Sequence, residues 1–132
     1  MMARNGFTLV EVMIVMVILA IVAAVAYPSL QSQLTKTRRS DAQSSLMQTA
    51  QNLERCFTEF GAYNNANCPV PASADSDEGH YTITVASTAS TFTATATPKS
   101  TSAQANDAEC TTLTLSHTGA KGATGSNTDA CW

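Results

Sequence analysis

The sequence predicts an α+β chain: a long N-terminal helix, apolar and membrane-spanning in its first half, with its second half packed against a small antiparallel β-sheet. Three observations carry this reading. An unbroken apolar run extends from Phe7 to Tyr27. Apolar residues then recur at helical spacing up to Phe60. Three later segments alternate apolar and polar residues with period two.

The first element is the apolar run, FTLVEVMIVMVILAIVAAVAY, in which only Thr8 and Glu11 are clearly polar. At about 1.5 Å per residue it is long enough to cross a hydrocarbon core about 30 Å thick. The residues before it, MMARNG, are short and polar, carry one basic residue, Arg4, and end at Gly6. A cleaved secretory signal is the competing reading, with Ala23, Ala24 and Ala26 as its small-residue site, but such signals carry a shorter apolar region. Glu11 is the anomaly. A carboxylate in a membrane helix costs up to about 2.5–3.5 kcal/mol at the bilayer centre and needs a partner. No Lys or Arg lies inside the span. Cleavage after Gly6 would leave an ammonium on Phe7, four residues and about one helical turn from Glu11.

Pro28 follows the span. Proline removes one helical hydrogen bond and clashes with the preceding turn, so it kinks, locally melts or ends a helix. Beyond it, Leu46, Ala50, Leu53, Phe57 and Phe60 fall on one helical stripe. The helix is expected to stop at Gly61. Lys36, Arg38 and Arg39 form the basic cluster and read as a solvated face.

Residues 64–79 read as a loop rich in Asn, Pro and acids. Asp75, Asp77 and Glu78 lack the spacing of a calcium loop. Strands are expected around Tyr81, Ile83 and Val85, around Phe92, Ala94 and Ala96, and around Leu113 and Leu115, each alternating with Thr or Ser. They suggest a meander with its apolar side on the helical stripe and a wet Thr face opposite. Residues 121–127 read as a flexible loop. They are not a phosphate cradle, because the Gly-Lys-Ser/Thr order is missing.

Cys56, Cys68, Cys110 and Cys131 are widely spaced, which suits two disulfides in an oxidising compartment better than a metal site. Four cysteines allow three pairings. The most local joins Cys56 to Cys68 and Cys110 to Cys131. No metal site and no cofactor is expected. His80 and His117 flank strand residues, no Ser/His/Asp set has a supporting motif, and the chain does not read as an enzyme. The 132 residues carry a formal net charge of -3, which makes nucleic acid an unlikely partner unless Lys99, Lys121 and His117 form a local basic patch.

Gly6-Phe7-Thr8-Leu9-Val10-Glu11, a short basic leader, an unbroken apolar span and Pro28 together resemble the class III signal of type IV prepilins and pseudopilins. Residues 27–63 and the closing Cys131-Trp132 resemble minor pilins of the PilE type. The resemblance implies cleavage by a prepilin peptidase between Gly6 and Phe7, methylation of the new amine, and neutralisation of a neighbour's amine by Glu11 during assembly. It implies a bent or locally melted helix at Pro28 and a C-terminal loop bounded by a disulfide. It also implies an organisation of leader (1–6), transmembrane or filament-core helix (7–27) and exported globular domain (28–132), with an amphipathic helix over 28–61 and loops and meander over 62–132. The expected partners are other pilin subunits, the peptidase, the pilus assembly platform and the inner membrane. The expected location is single-pass in the inner membrane before assembly and in an extracellular pilus after it. A minor pilin of a type IV pilus is the function implied; the alternatives are a type II secretion pseudopilin, or a pilin that captures DNA or a host surface.

Overall fold

The computed structural model describes residues 6–132; Met1 to Asn5, most of the expected leader, lie outside the described residues. One helix, α1, spans Leu9–Phe60 with Pro28 inside it. Five strands follow: β1 (Ser73–Asp75), β2 (Tyr81–Ser87), β3 (Phe92–Pro98), β4 (Thr112–Ser116) and β5 (Lys121–Thr124). They form one antiparallel sheet in sequential order. Two compact units divide the chain, residues 1–34 and 35–132.

From Leu9 onward the first unit is the first part of α1. Its most apolar stretch is apolar on every side, with a mean hydropathy of 3.0 and none of it buried. A helix hydrophobic all round belongs in lipid or among other helices. It is the one helix among the described residues long and apolar enough to cross a membrane. The helix is continuous through Pro28, so the proline neither ends nor melts it in the isolated chain.

In the second unit α1 presents Ala42, Leu46 and Leu53 to the sheet. Tyr81, Ile83, Ala94, Ala96, Leu113 and Leu115 meet them from β2, β3 and β4, with Cys110 and Cys131 in the same cluster. Leu53, Tyr63 and Phe92 form a second cluster at the far end of the helix. The period-two alternation turns the threonines of β2–β4 to the other face, where Thr84, Thr95 and Thr114 lie side by side across three strands. Alanines at 94 and 96 leave room for the helix to approach β3. Gly61, with φ 71°, closes α1 by donating its N–H to the Phe57 carbonyl at 2.8 Å.

Three expectations need correction. The loop expected over 64–79 contains β1, and the loop expected over 121–127 contains β5. Both strands are too short to show a period; each forms as the edge partner of a longer strand. The helical stripe is buried at Leu46 and Leu53, but Phe57 and Phe60 stay 39% and 38% exposed because the sheet has ended. Phe57 stacks instead on Tyr63, with ring centroids 4.7 Å apart.

Candidate functional site

At the N-terminal end, Gly6, Phe7 and Thr8 precede the helix and Phe7 is 82% exposed. The Thr8 hydroxyl accepts the Glu11 backbone N–H at 3.2 Å, and the Thr8 carbonyl accepts from Val12. Thr8 is therefore the cap of α1 and Glu11 sits at the third helical position. A Ser/Thr cap followed three residues later by Glu is the capping-box pattern. A carboxylate there also faces the positive end of the helix dipole. The sequence carried this signal in Thr8-Leu9-Val10-Glu11, and reading Glu11 only as an ion-pair partner passed over it.

In the second unit the charge chemistry is concentrated where the helix meets the sheet. Arg39 is not on a solvated face. It is 3% exposed and grips Asp107 with two hydrogen bonds of 2.7 Å, while a third, of 2.8 Å, reaches Glu109. The hydrogen bond to Asp107 holds the guanidinium above its ordinary range; burial opposes this, and Glu109 adds to it. Arg39 also donates to the Ala130 carbonyl, and Gln43 donates to the Cys131 carbonyl. The loop closed by the Cys110–Cys131 disulfide is thus tied at both ends to α1. Lys36 is exposed and Arg38 half-buried.

Asp41 makes a second anchor. Its buried carboxylate accepts from the Ser76 hydroxyl at 2.6 Å and from the N–H groups of Glu78 and His80. Ser76 in turn accepts the Tyr81 N–H, and Ser45 accepts the Asp77 N–H. The turn between β1 and β2 is strapped to the helix by these contacts. Nothing in the local sequence marks Asp41 for this, since its partners are more than thirty residues away. A second disulfide, Cys56–Cys68, ties the last turns of α1 to the loop ahead of β1.

The local basic patch that would have favoured nucleic acid does not assemble from Lys99, Lys121 and His117. Lys121 and His117 lie at the β4–β5 turn, with the Lys121 ammonium 4.9 Å from the centre of the Trp132 ring. Lys99 follows β3 at its other end and pairs with Asp75 at 2.6 Å. The seven-residue β3 separates the two by roughly 20 Å. His80 reaches the Ser102 hydroxyl, and no group of three or more His, Cys, Asp or Glu suited to a metal ion occurs among the described residues.

Comparison with known proteins bears on both units. Residues 1–27 match the profile of the prokaryotic N-terminal methylation motif. Residues 28–114 match the profile described as type IV minor pilin ComP, DNA uptake sequence receptor. Among solved structures, the chain is similar to the non-core minor pilin PilV of Neisseria meningitidis, at 24% identity over 73% of this chain and 92% of that one, with a TM-score of 0.56. It is also similar to a type IV pilin from Shewanella oneidensis, at 30% identity over 66% and 89% of the two chains, with a TM-score of 0.48. A comparison with curated proteins finds none that matches. The minor-pilin profile covers more than half of the chain, the methylation motif covers the rest of its N-terminal part, and the helix on an antiparallel sheet is the PilV fold: the chain belongs to the type IV minor pilins of the ComP family.

Proposed function

We propose that this minor pilin is cut between Gly6 and Phe7, methylated on the new amine, and built into a type IV pilus through residues 7–27, with residues 28–132 as its exported part. One observation carries this: the exposed, apolar first part of α1 holds one carboxylate, Glu11, in its first turn, and the helix has no basic residue before Lys36. Such a surface is incomplete in the isolated chain. Lipid covers its apolar side chains before assembly and neighbouring subunits cover them afterwards. A neighbour's Phe7 amine supplies the charge that Glu11 lacks. Pro28, with its missing hydrogen bond, is the weak point at which the helix bends on docking. The prepilin peptidase, the assembly platform and the inner membrane are partners on this reading. Intact-mass measurement on sheared pili tests it: the subunit should lack Met1 to Gly6 and carry one added methyl group. Recovery of Met1 in pili, or of the subunit in membranes alone, would overturn it; the latter outcome is the one a secretion pseudopilin would give.

The family profile supports a second reading, capture of DNA, which revises the expectation that nucleic acid is an unlikely partner. The net charge of -3 restricts it to a local contact. With Arg39 buried and Lys99 paired, the cations left for phosphate among the described residues are Lys36, Arg38, Arg55 and Lys121. Contact through about two or three of them gives a shallow salt dependence, a slope of about -2 to -3 in log–log form. Retention of duplex DNA on purified pili, with and without this subunit and at several salt concentrations, measures it. Equal retention by pili that lack the subunit would dismiss the reading.

A further inference from the structure

A cleft with a volume of about 400 Å³ runs along α1 beside the sheet edge at β1. That is the size range of small-molecule sites. One wall is the helix, which contributes Gln48, Asn52, Arg55 and Glu59 from successive turns, about 5.4 Å apart along the axis. None of these four side chains hydrogen-bonds or ion-pairs with another described residue. The floor is Ile83 and Val85 of β2, and the opposite wall is the Pro69-Val70-Pro71 segment.

The cleft is held in shape by three independent tethers. The Cys56–Cys68 disulfide joins the helix wall to the proline wall. The β1–β2 ladder fixes the rim. Asp41 and Ser45 strap the β1–β2 turn to α1. A ligand entering a site already ordered loses little to protein rearrangement.

The lining identifies the ligand class. Arg55 and Glu59 carry opposite charges, Asp75 is paired with Lys99, and Asp77 leaves one further carboxylate in the lining. Beside these charges the two carboxamides of Gln48 and Asn52 offer donors and acceptors together. A polyanion gains nothing there. The floor and proline wall present C–H surface. Polar groups repeat at the helix pitch, close to the repeat of an extended chain of pyranose rings. A peptide strand repeats its same-face side chains every roughly 6.6–6.8 Å and falls out of step. The three-residue β1, which follows Pro71, is also too short an edge to template another strand. We propose that this cleft binds a short uncharged oligosaccharide, with ring faces on Val85 and the Pro69-Val70-Pro71 wall and hydroxyls on Gln48 and Asn52. This role is separate from filament assembly and shares only Arg55 with the cations open to DNA.

The test uses the full processed chain in detergent, titrated calorimetrically with cellotetraose, chitotetraose, maltotetraose and mannotetraose, and with an uncharged extended hexapeptide. At least one tetrasaccharide should bind with a Kd of about 1 mM or tighter, independently of salt. Asn52→Leu and Gln48→Leu should each weaken that binding about tenfold or more. Gln51→Leu, outside the cleft, should leave it unchanged. All three positions are exposed, so thermal unfolding should confirm equal folding. Binding of none of the four sugars, preference for the peptide, or unchanged affinity in Asn52→Leu would each overturn the proposal.

Discussion

Arg39 shows how one residue can change meaning between sequence and fold. Its two-pronged grip on Asp107 is buried on both sides, so truncation strands a carboxylate away from water. Arg39→Ala should cost about 3–5 kcal/mol in chemical denaturation. Arg39→Lys should recover only part of that, because an ammonium cannot make the paired contact. Glu11 calls for a finer substitution. Glu11→Gln keeps the capping pattern with Thr8 and removes the charge. If pairing with a neighbour's amine is its role, the Gln variant should be inserted and cut normally yet be depleted in sheared pili relative to membranes. Equal incorporation would leave helix capping as the role of Glu11. At Tyr81, burial is the main cause that pushes the phenol up to about 12, and nearby Asp107 and Asp41 act in the same direction. Gln104 works against this, although the Tyr81 hydroxyl has no hydrogen-bond partner. The folded chain therefore keeps a proton that the unfolded chain releases near its ordinary value of 10.0. Stability from this group is complete below about pH 10 and is lost as pH rises through about 12. Tyr81→Phe should flatten that alkaline loss while changing stability near neutral pH by less than about 1 kcal/mol. Thermal unfolding of both proteins across the alkaline range measures the difference.

Among the elements, α1 was the most legible because its two halves obey different periodicities. The apolar run has no face, and the stripe after Pro28 has one. The short edge strands were not legible. β5 exists because β4 offers it a ladder and because Trp132 donates its indole N–H to the Gly122 carbonyl at 2.8 Å. After β5 the chain turns at Gly125, where φ is 139° and a Cβ would overlap the Glu109 carbonyl. Gly125→Ala should therefore destabilise the second unit, by about 1–3 kcal/mol from backbone strain alone, with more from the clash. A midpoint shift in urea would register it. An unchanged midpoint would mean that the turn has another accessible form.

For the molecule as a whole, two disulfides brace a small domain. The loop between Cys110 and Cys131 spans a sequence separation of 21 residues, so its closure contributes about 3 kcal/mol on the chain-entropy model. Replacing both cysteines by Ser should lower stability by about that amount, and non-reducing peptide mapping should show Cys56 joined to Cys68 and Cys110 to Cys131. A crossed link would contradict both bridges. The sequence by itself determined the α+β class, the apolar helix and its stop at Gly61, the three central strands, and the Gly6-Phe7 and Glu11 pattern that marks a pilin. Each of these rests on order along the chain: run length, period or a contiguous motif. Tertiary structure alone decided that Arg39 is buried, that Asp41 holds the β1–β2 turn, that Lys99 lies far from Lys121, and that a polar helix wall lies opposite the Pro69-Val70-Pro71 segment across a cleft. Those outcomes depend on residues tens of positions apart. A charge or carboxamide reads the same in sequence whether it meets water or a partner, and only the packing of helix on sheet settles which.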